Sequence, residues 1–154
     1  MRAALAGLNA LSEVKSILFL CGMNAIRSPM AEAIAKSLLP QNHYVASAGV
    51  HKGESDPFVE VVLAETGRHA PDRTPHTLDE LEDDYFDVII TLAPEAHHRA
   101  LELTRSQAVE VEYWPINDPS VATGTRDQIL EAYRDVRKTL EKRIRERFLT
   151  EKPV

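Results

Sequence analysis

The sequence predicts an α/β domain built on a parallel sheet of four strands. Short, almost wholly apolar runs suit strands covered on both faces, and they alternate with longer stretches whose apolar residues recur at helical spacing. No internal repeat or linker interrupts the alternation. A chain of 154 residues supports one domain with a real core and leaves little room for a second.

The first strand is SILFLC, residues 16–21. Ser28-Pro29 then reads as a helix N-cap with proline at the first helical position. Met30, Ala31, Ile34, Ala35, Leu38 and Leu39 keep helical spacing until Pro40 stops it. Residues 43–47 read as the second strand, ended by Ala48-Gly49. Asp56-Pro57 opens a second helix with Val59, Val62 and Leu63 on one face, and Gly67 closes it. Two prolines and several turn formers make residues 68–80 a loop, with one helical turn at 78–82. FDVIITL, residues 86–92, is the third strand. Pro94 opens the next helix, and residues 108–114 form the fourth strand. Residues 114–124 make an irregular loop rich in Pro, Asn, Asp and Thr. A last helix over about 125–148 carries Ile129, Tyr133, Val136, Leu140 and Ile144 on one stripe.

Composition narrows the chemistry. Net charge is -6 and no basic stripe is present, which argues against a nucleic-acid partner. The longest apolar runs, such as residues 17–23 and 88–93, fall far short of the roughly 20 needed to cross a bilayer, so no membrane partner is expected. The apolar part of MRAALAGLNAL is too short for a secretion signal, and residues 1–15 read as the N-terminal extension of a cytoplasmic protein. One cysteine excludes an internal disulfide, a cysteine zinc site and an iron-sulfur cluster. His97 and His98 would point about 100° apart on a helix with no third ligand at suitable spacing, so they read as surface residues. The acidic run at 80–84 reads as a solvated loop. Neither a metal nor a cofactor is called for.

The chemistry concentrates at Cys21. In open sheets of this kind ligands sit beyond the carboxyl ends of the strands, and Cys21 lies at such an end. Arg27 follows six residues later in C-G-M-N-A-I-R-S. A loop of that length can turn successive N–H groups toward one point at the positive end of the following helix, which is a place for an anion. The Arg27 guanidinium can grip two oxygens of a tetrahedral oxyanion as a fork. The same positive surroundings favour thiolate over thiol at Cys21, so the nucleophile is activated by the site that binds its target. Asp118 is the candidate proton donor for a leaving oxygen and the later base for water. Pro119 restricts Asp118 to extended or turn backbone, aiming the carboxyl rather than letting it cap a helix. An Asx-type turn that merely stabilises the loop is the competing reading.

The segment ILFLCGMNAIRSPMAEAIAKSLL resembles the phosphate-binding loop and first helix of the low-molecular-weight protein tyrosine phosphatases, whose fold also houses thioredoxin-coupled arsenate reductases. The resemblance continues over nearly all of the chain after residue 15, through Ser47-Ala48-Gly49, His76, FDVIITL and Asp118-Pro119. It implies a flavodoxin-like strand order 2-1-3-4 with helices on both faces and a catalytic domain over residues 16–150. Cys21 would be the nucleophile, Arg27 the phosphate clamp and Asp118 the general acid. Gly22, Met23, Asn24, Ala25, Ile26, Arg27 and Ser28 would line the phosphate site. Asn24, Ser28, Ser47 and His76 would form a hydrogen-bonded cluster holding the loop, with Ser28 donating to the Cys21 sulfur.

Departures from the family pattern set further expectations. Met23 stands where the family usually has glycine, so a Cβ must fit the loop there and altered loop geometry is expected. Ile26 replaces a second cysteine, leaving no neighbouring thiol to trap an oxidised Cys21. Ser120 follows Pro119, and VHKGESD after the second strand has no aromatic residue, so ring stacking on a phosphotyrosine is not provided for. Trp114, in W-P-I-N-D-P, resembles the arsenate reductase branch and reads as a core or hinge aromatic beneath the loop.

The resulting expectation is a monomeric or weakly dimeric hydrolase acting on a phosphorylated protein or small phosphate ester through a cysteinyl-phosphate. One alternative is a single-cysteine arsenate reductase that borrows an external thiol. Another is a phosphate-binding module without catalysis.

Overall fold

A computed structural model describes residues 14–81 and 85–149. Four strands, β1 (Ser16–Cys21), β2 (Tyr44–Gly49), β3 (Val88–Thr91) and β4 (Glu110–Tyr113), pair in the order β2-β1-β3-β4. All three pairings are parallel, as the apolar runs require. Four helices, α1 (Arg27–Leu38), α2 (Pro57–Ala64), α3 (Pro94–Leu103) and α4 (Arg126–Ile144), connect or follow the strands.

The period-2 alternation of β1 divides the core in two. Ile17, Phe19 and Cys21 point into the larger cluster with Met30 and Ile34 of α1, Val62 and Leu63 of α2, and Leu130, Val136 and Leu140 of α4. Leu18 and Leu20 point the other way, against Ala96 and Ala100 of α3. The sheet is thus covered on both faces, and β1 lies inside it with its last residue, Cys21, on the α1 side.

Several boundaries differ from the sequence expectation. The first helix begins at Arg27, two residues early, with Ile26 at the N-cap and no side-chain cap. Ser28 is therefore not a cap, because its hydroxyl is engaged elsewhere. The fourth strand is only Glu110–Tyr113 and carries little apolar surface, as suits an edge. On α4 the buried stripe takes Leu130, with Ile129 at its margin, and it includes Arg137, which donates to the Val62 carbonyl (2.6 Å) and Glu65 (2.7 Å). The last helix stops at Ile144 and ends in a π-turn, Arg145–Leu149.

Other signals read correctly. Asp56 caps α2 by accepting from the Phe58 N–H (2.9 Å), and Gly67, at φ 73°, closes the turn after it. Residues 78–80 form a single 3-10 turn, Leu78–Glu80. Most of residues 1–15 and of the acidic run at 80–84 lie outside the described residues. His97 is half-buried rather than a plain surface residue. It stacks on Tyr113 at 4.6 Å and its Nδ1 lies 3.1 Å from the Thr91 hydroxyl. No helix among the described residues is long and apolar enough to cross a membrane.

Candidate active site

Residues 21–28 wrap from the end of β1 into α1, and the wrapping is fixed from outside. The carbonyls of Cys21, Gly22 and Met23 accept from the N–H groups of Val50 (3.0 Å), His51 (2.8 Å) and Gly53 (3.0 Å). In a trans peptide the N–H points opposite to the carbonyl, so turning these carbonyls outward turns the following amides inward. The N–H groups of residues 22–26 have no acceptor among the described residues. With the uncapped start of α1 these free N–H groups offer donors to an anion. Gly49 is the neighbour that permits this approach. A Cβ there would stand 2.7 Å from the Asn24 nitrogen and 2.8 Å from the Met23 carbonyl carbon.

Met23 does not adopt the left-handed backbone that would call for glycine at its position. Asn24 is the only non-glycine residue with positive φ (52°) among the described residues, and asparagine tolerates that region. Met23 is instead 46% exposed, with its side chain against Gly53.

The sulfur of Cys21, 2% exposed, lies 2.9 Å from Ser28 Oγ. Asn24 Nδ2 donates to Ser28 Oγ (2.9 Å) and to Ser47 Oγ (3.0 Å), while the His76 N–H donates to Asn24 Oδ1 (3.0 Å). His76 Nε2 donates to the Ser47 carbonyl at 2.6 Å, which places a ring proton on Nε2. The four residues expected to cluster are thus joined.

Two more members of this web escaped the sequence reading. Glu32 is buried in α1 and accepts from Ser47 Oγ (2.6 Å) and Lys36 (2.7 Å). Arg73, from the loop before the 3-10 turn, donates to Asn24 Oδ1 (3.0 Å), Glu32 Oε1 (2.7 Å) and Ser47 Oγ (2.7 Å). Glu32 stands alone as a charge among Ser28, Pro29, Met30, Ala31, Ala33, Ile34 and Ala35, all buried, and that isolation was the available signal. Arg73 offered none, since it reaches Asn24 across 49 residues of sequence.

Arg27 is half-buried and reaches across to the loop after β4, where its Nη1 donates to the Ile116 carbonyl (3.0 Å). That loop continues the ladder of β3, through Trp114 N–H to Thr91 (2.8 Å) and Ile116 N–H to Leu92 (3.1 Å). Trp114 is buried beneath it, 6.3 Å from the Phe19 ring. Asp118 does cap a short helix, contrary to expectation. Its Oδ1 accepts from the Ser120 N–H (2.9 Å) and hydroxyl (2.7 Å) at the start of the 3-10 turn Pro119–Val121. Its other oxygen has no hydrogen bond among the described residues. Burial pushes the Asp118 carboxyl up, but the two Ser120 bonds and the Arg27 charge outweigh it and hold the carboxyl below its ordinary value. A cavity of about 320 Å³ separates this loop from α4, lined by Ile116, Asp118, Val121, Ala132 and Val136 among others.

Residues 16–152 match the model of a family described as low molecular weight phosphotyrosine protein phosphatase. An arsenate reductase of Bacillus subtilis is 31% identical over 134 residues, covering 87% of this chain and 95% of that protein. A glutaredoxin arsenate reductase of Synechocystis sp. is 28% identical over 85% of this chain and 94% of its own length. An arginine phosphatase of Geobacillus stearothermophilus superimposes with a TM-score of 0.70 at 25% identity, covering 84% of this chain and 88% of that one.

Proposed function

Starting from the fact that the chain belongs to the low molecular weight phosphotyrosine protein phosphatase family, we propose that it hydrolyses phosphoric monoesters through a cysteinyl-phosphate on Cys21. The observation that carries this reading is the run of N–H groups of residues 22–26, free of acceptors among the described residues, beside the one thiol of the chain, with Arg27 linking this loop to the Asp118 loop.

The phosphoryl oxygens lie on the amides and the Arg27 guanidinium. The Cys21 thiolate attacks phosphorus, the P–O bond to the leaving group breaks, and Asp118 gives that oxygen its proton. Asp118, now a carboxylate, takes a proton from water as the water attacks phosphorus. The S–P bond breaks, phosphate leaves and the thiolate is restored. Ser28, 2.9 Å from the sulfur, donates to the thiolate at the start and end of the cycle. Pro119, buried, anchors the acid's turn.

Relatives named arsenate reductase support a second reading. Arsenate would take the phosphate position and form an S–As bond to Cys21 with loss of water. Because the chain has no second cysteine, an external thiolate must attack the Cys21 sulfur. The S–As electron pair would leave with arsenic as arsenite, and a further thiol would reduce the mixed disulfide.

Turnover of para-nitrophenyl phosphate near pH 6 tests the proposal. Hydrolysis is expected, abolished in Cys21→Ser and reduced about 10²- to 10⁴-fold in Asp118→Asn. Arsenate-dependent consumption of glutathione or reduced glutaredoxin without ester hydrolysis would establish the reductase instead. Phosphate binding with neither activity would leave a binding module.

A further inference from the structure

We propose that Arg73 is a positioning residue of the nucleophile loop, setting through Asn24 and Ser28 how readily Cys21 is held as a thiolate. The inference rests on Cys21 being the nucleophile, as argued above, but not on which oxyanion it attacks.

The argument starts from a side-chain amide. An asparagine amide can present either its oxygen or its nitrogen to a neighbour, and the choice is made by the surrounding donors. At Asn24 two donors, Arg73 Nη1 and the His76 N–H, both stand 3.0 Å from Oδ1. They leave Nδ2 to face Ser28 Oγ and Ser47 Oγ. Having accepted from Nδ2, Ser28 keeps its own proton for either the Cys21 sulfur (2.9 Å) or the Ala48 carbonyl (3.2 Å). A negative sulfur is the stronger acceptor, so the hydroxyl turns to the thiolate. Were the amide reversed, its carbonyl would draw the Ser28 proton away from sulfur. A cation therefore stands at the head of a chain of aligned hydrogen bonds that runs from Arg73 through Asn24 and Ser28 to Cys21.

The second arm of the fork holds the other end of the web. Arg73 Nη2 donates to Ser47 Oγ, which also accepts from Asn24, and so the Ser47 proton goes to Glu32 Oε1 at 2.6 Å. All three acceptor residues, Asn24, Ser47 and Glu32, are buried, while the Arg73 side chain is 29% exposed. A mere counter-ion to Glu32 would need charge alone. The arrangement uses the planar fork, with one nitrogen on Asn24 and the other on Glu32 and Ser47, which a lysine cannot reproduce.

Arg73→Lys and Arg73→Ala in the full chain test this, with alkylation of Cys21 by iodoacetamide followed from about pH 5 to pH 10. Thiolate alkylates and thiol does not. Alkylation of both variants near pH 6 is expected to slow by about three- to tenfold and to converge with the unsubstituted protein at high pH. Millimolar guanidinium is expected to restore part of the rate in Arg73→Ala and to change nothing in Arg73→Lys. Folded variants whose alkylation follows an unchanged pH profile, or slows equally at every pH, would overturn the proposal. If Arg73→Ala does not fold, Arg73→Lys decides alone, since it keeps the charge beside Glu32. Alkylation needs no turnover. A protein inert toward phosphate esters that still shows the pH-selective slowing would refute the hydrolase reading and uphold Arg73, and the converse result would do the reverse.

Discussion

Arg27 joins two loops that are built in opposite ways. On one side the nucleophile loop is held from several directions: three of its carbonyls are tied to residues 50–53, and Asn24 bonds to Ser28, Ser47, Arg73 and His76. On the other side, among the described residues, Asp118 bonds only to Ser120 within its own turn. Val121, beside it in the turn, is 77% exposed, and the cavity behind the loop leaves room for movement. The difference fits the two tasks proposed for these loops. Donors that meet an anion gain most when they are already oriented, because no reorganisation is then needed at the moment of reaction. An acid that must give a proton to one oxygen and later take one from water gains from a site that can shift and titrate.

The contrast is broken most severely by Asn24→Ala. Buried Ser28 and Ser47 lose a donor, and the Arg73 and His76 donors lose an acceptor, while alanine must hold the left-handed backbone. A loss of about 2–4 kcal/mol in denaturant unfolding is expected, together with a drop of about tenfold or more in ester turnover. Asn24→Gly removes the same bonds and relieves the backbone, so the difference between the two variants isolates the conformational part, about 1 kcal/mol. Asp118→Asn, the matching change across the site, should leave stability within about 0.5 kcal/mol while costing more in kcat. Equal stability losses on the two sides would erase the distinction.

The same contrast governs what could be read from sequence. Cys21, Arg27, Ser28 and Pro29 lie within nine consecutive residues at the end of an apolar run, so the nucleophile loop is a linear signal. Its scaffold is not. Arg73 meets Asn24 and Glu32 only after the sheet has formed, across 49 and 41 residues. Ser28 reads as a cap in the sequence because a serine before proline at a helix start serves either role, and only the nearby sulfur decides between them. At Asp118 the competing reading, an Asx-type turn, is the one seen: one carboxylate oxygen makes the turn, and the other has no hydrogen bond among the described residues. Asp118-Pro119-Ser120 alone could not reveal that division.

A gentler change acts on the acid side only. Ser120→Ala removes the 2.7 Å hydroxyl bond that favours the charged form of Asp118, while the backbone bond to residue 120 persists. The folded carboxyl then rises from its lowered position toward its ordinary value. Formation of the cysteinyl-phosphate, which needs the protonated acid, keeps its rate to higher pH, so the alkaline limb of a single-turnover pH profile moves up. The stability consequence has the opposite sense. A lowered Asp118 contributes stability above its unfolded value that is lost as pH falls through the folded one, and Ser120→Ala gives up part of it. An alkaline limb that moves down or stays fixed would remove Asp118 as the acid.

The smallest expected effect lies at Glu95, in the first turn of α3. Its carboxylate occupies the space that a side chain on Gly22 would need, and from that same point the Arg27 Nη2 is 3.8 Å away. Glu95 is exposed and makes no hydrogen bond or ion pair among the described residues, so its charge acts on whatever enters the loop. An incoming phosphate dianion meets it as a like charge. Glu95→Gln should therefore lower KM for para-nitrophenyl phosphate by about twofold at low ionic strength, leave kcat in place, and lose the effect at about 1 M salt. An ester whose leaving group carries an ammonium should respond with the opposite sign, because there the carboxylate is a partner. A KM that ignores both salt and leaving-group charge would mean that Glu95 serves only the α3 N-terminus, and that the nucleophile loop and the acid loop settle substrate affinity between themselves.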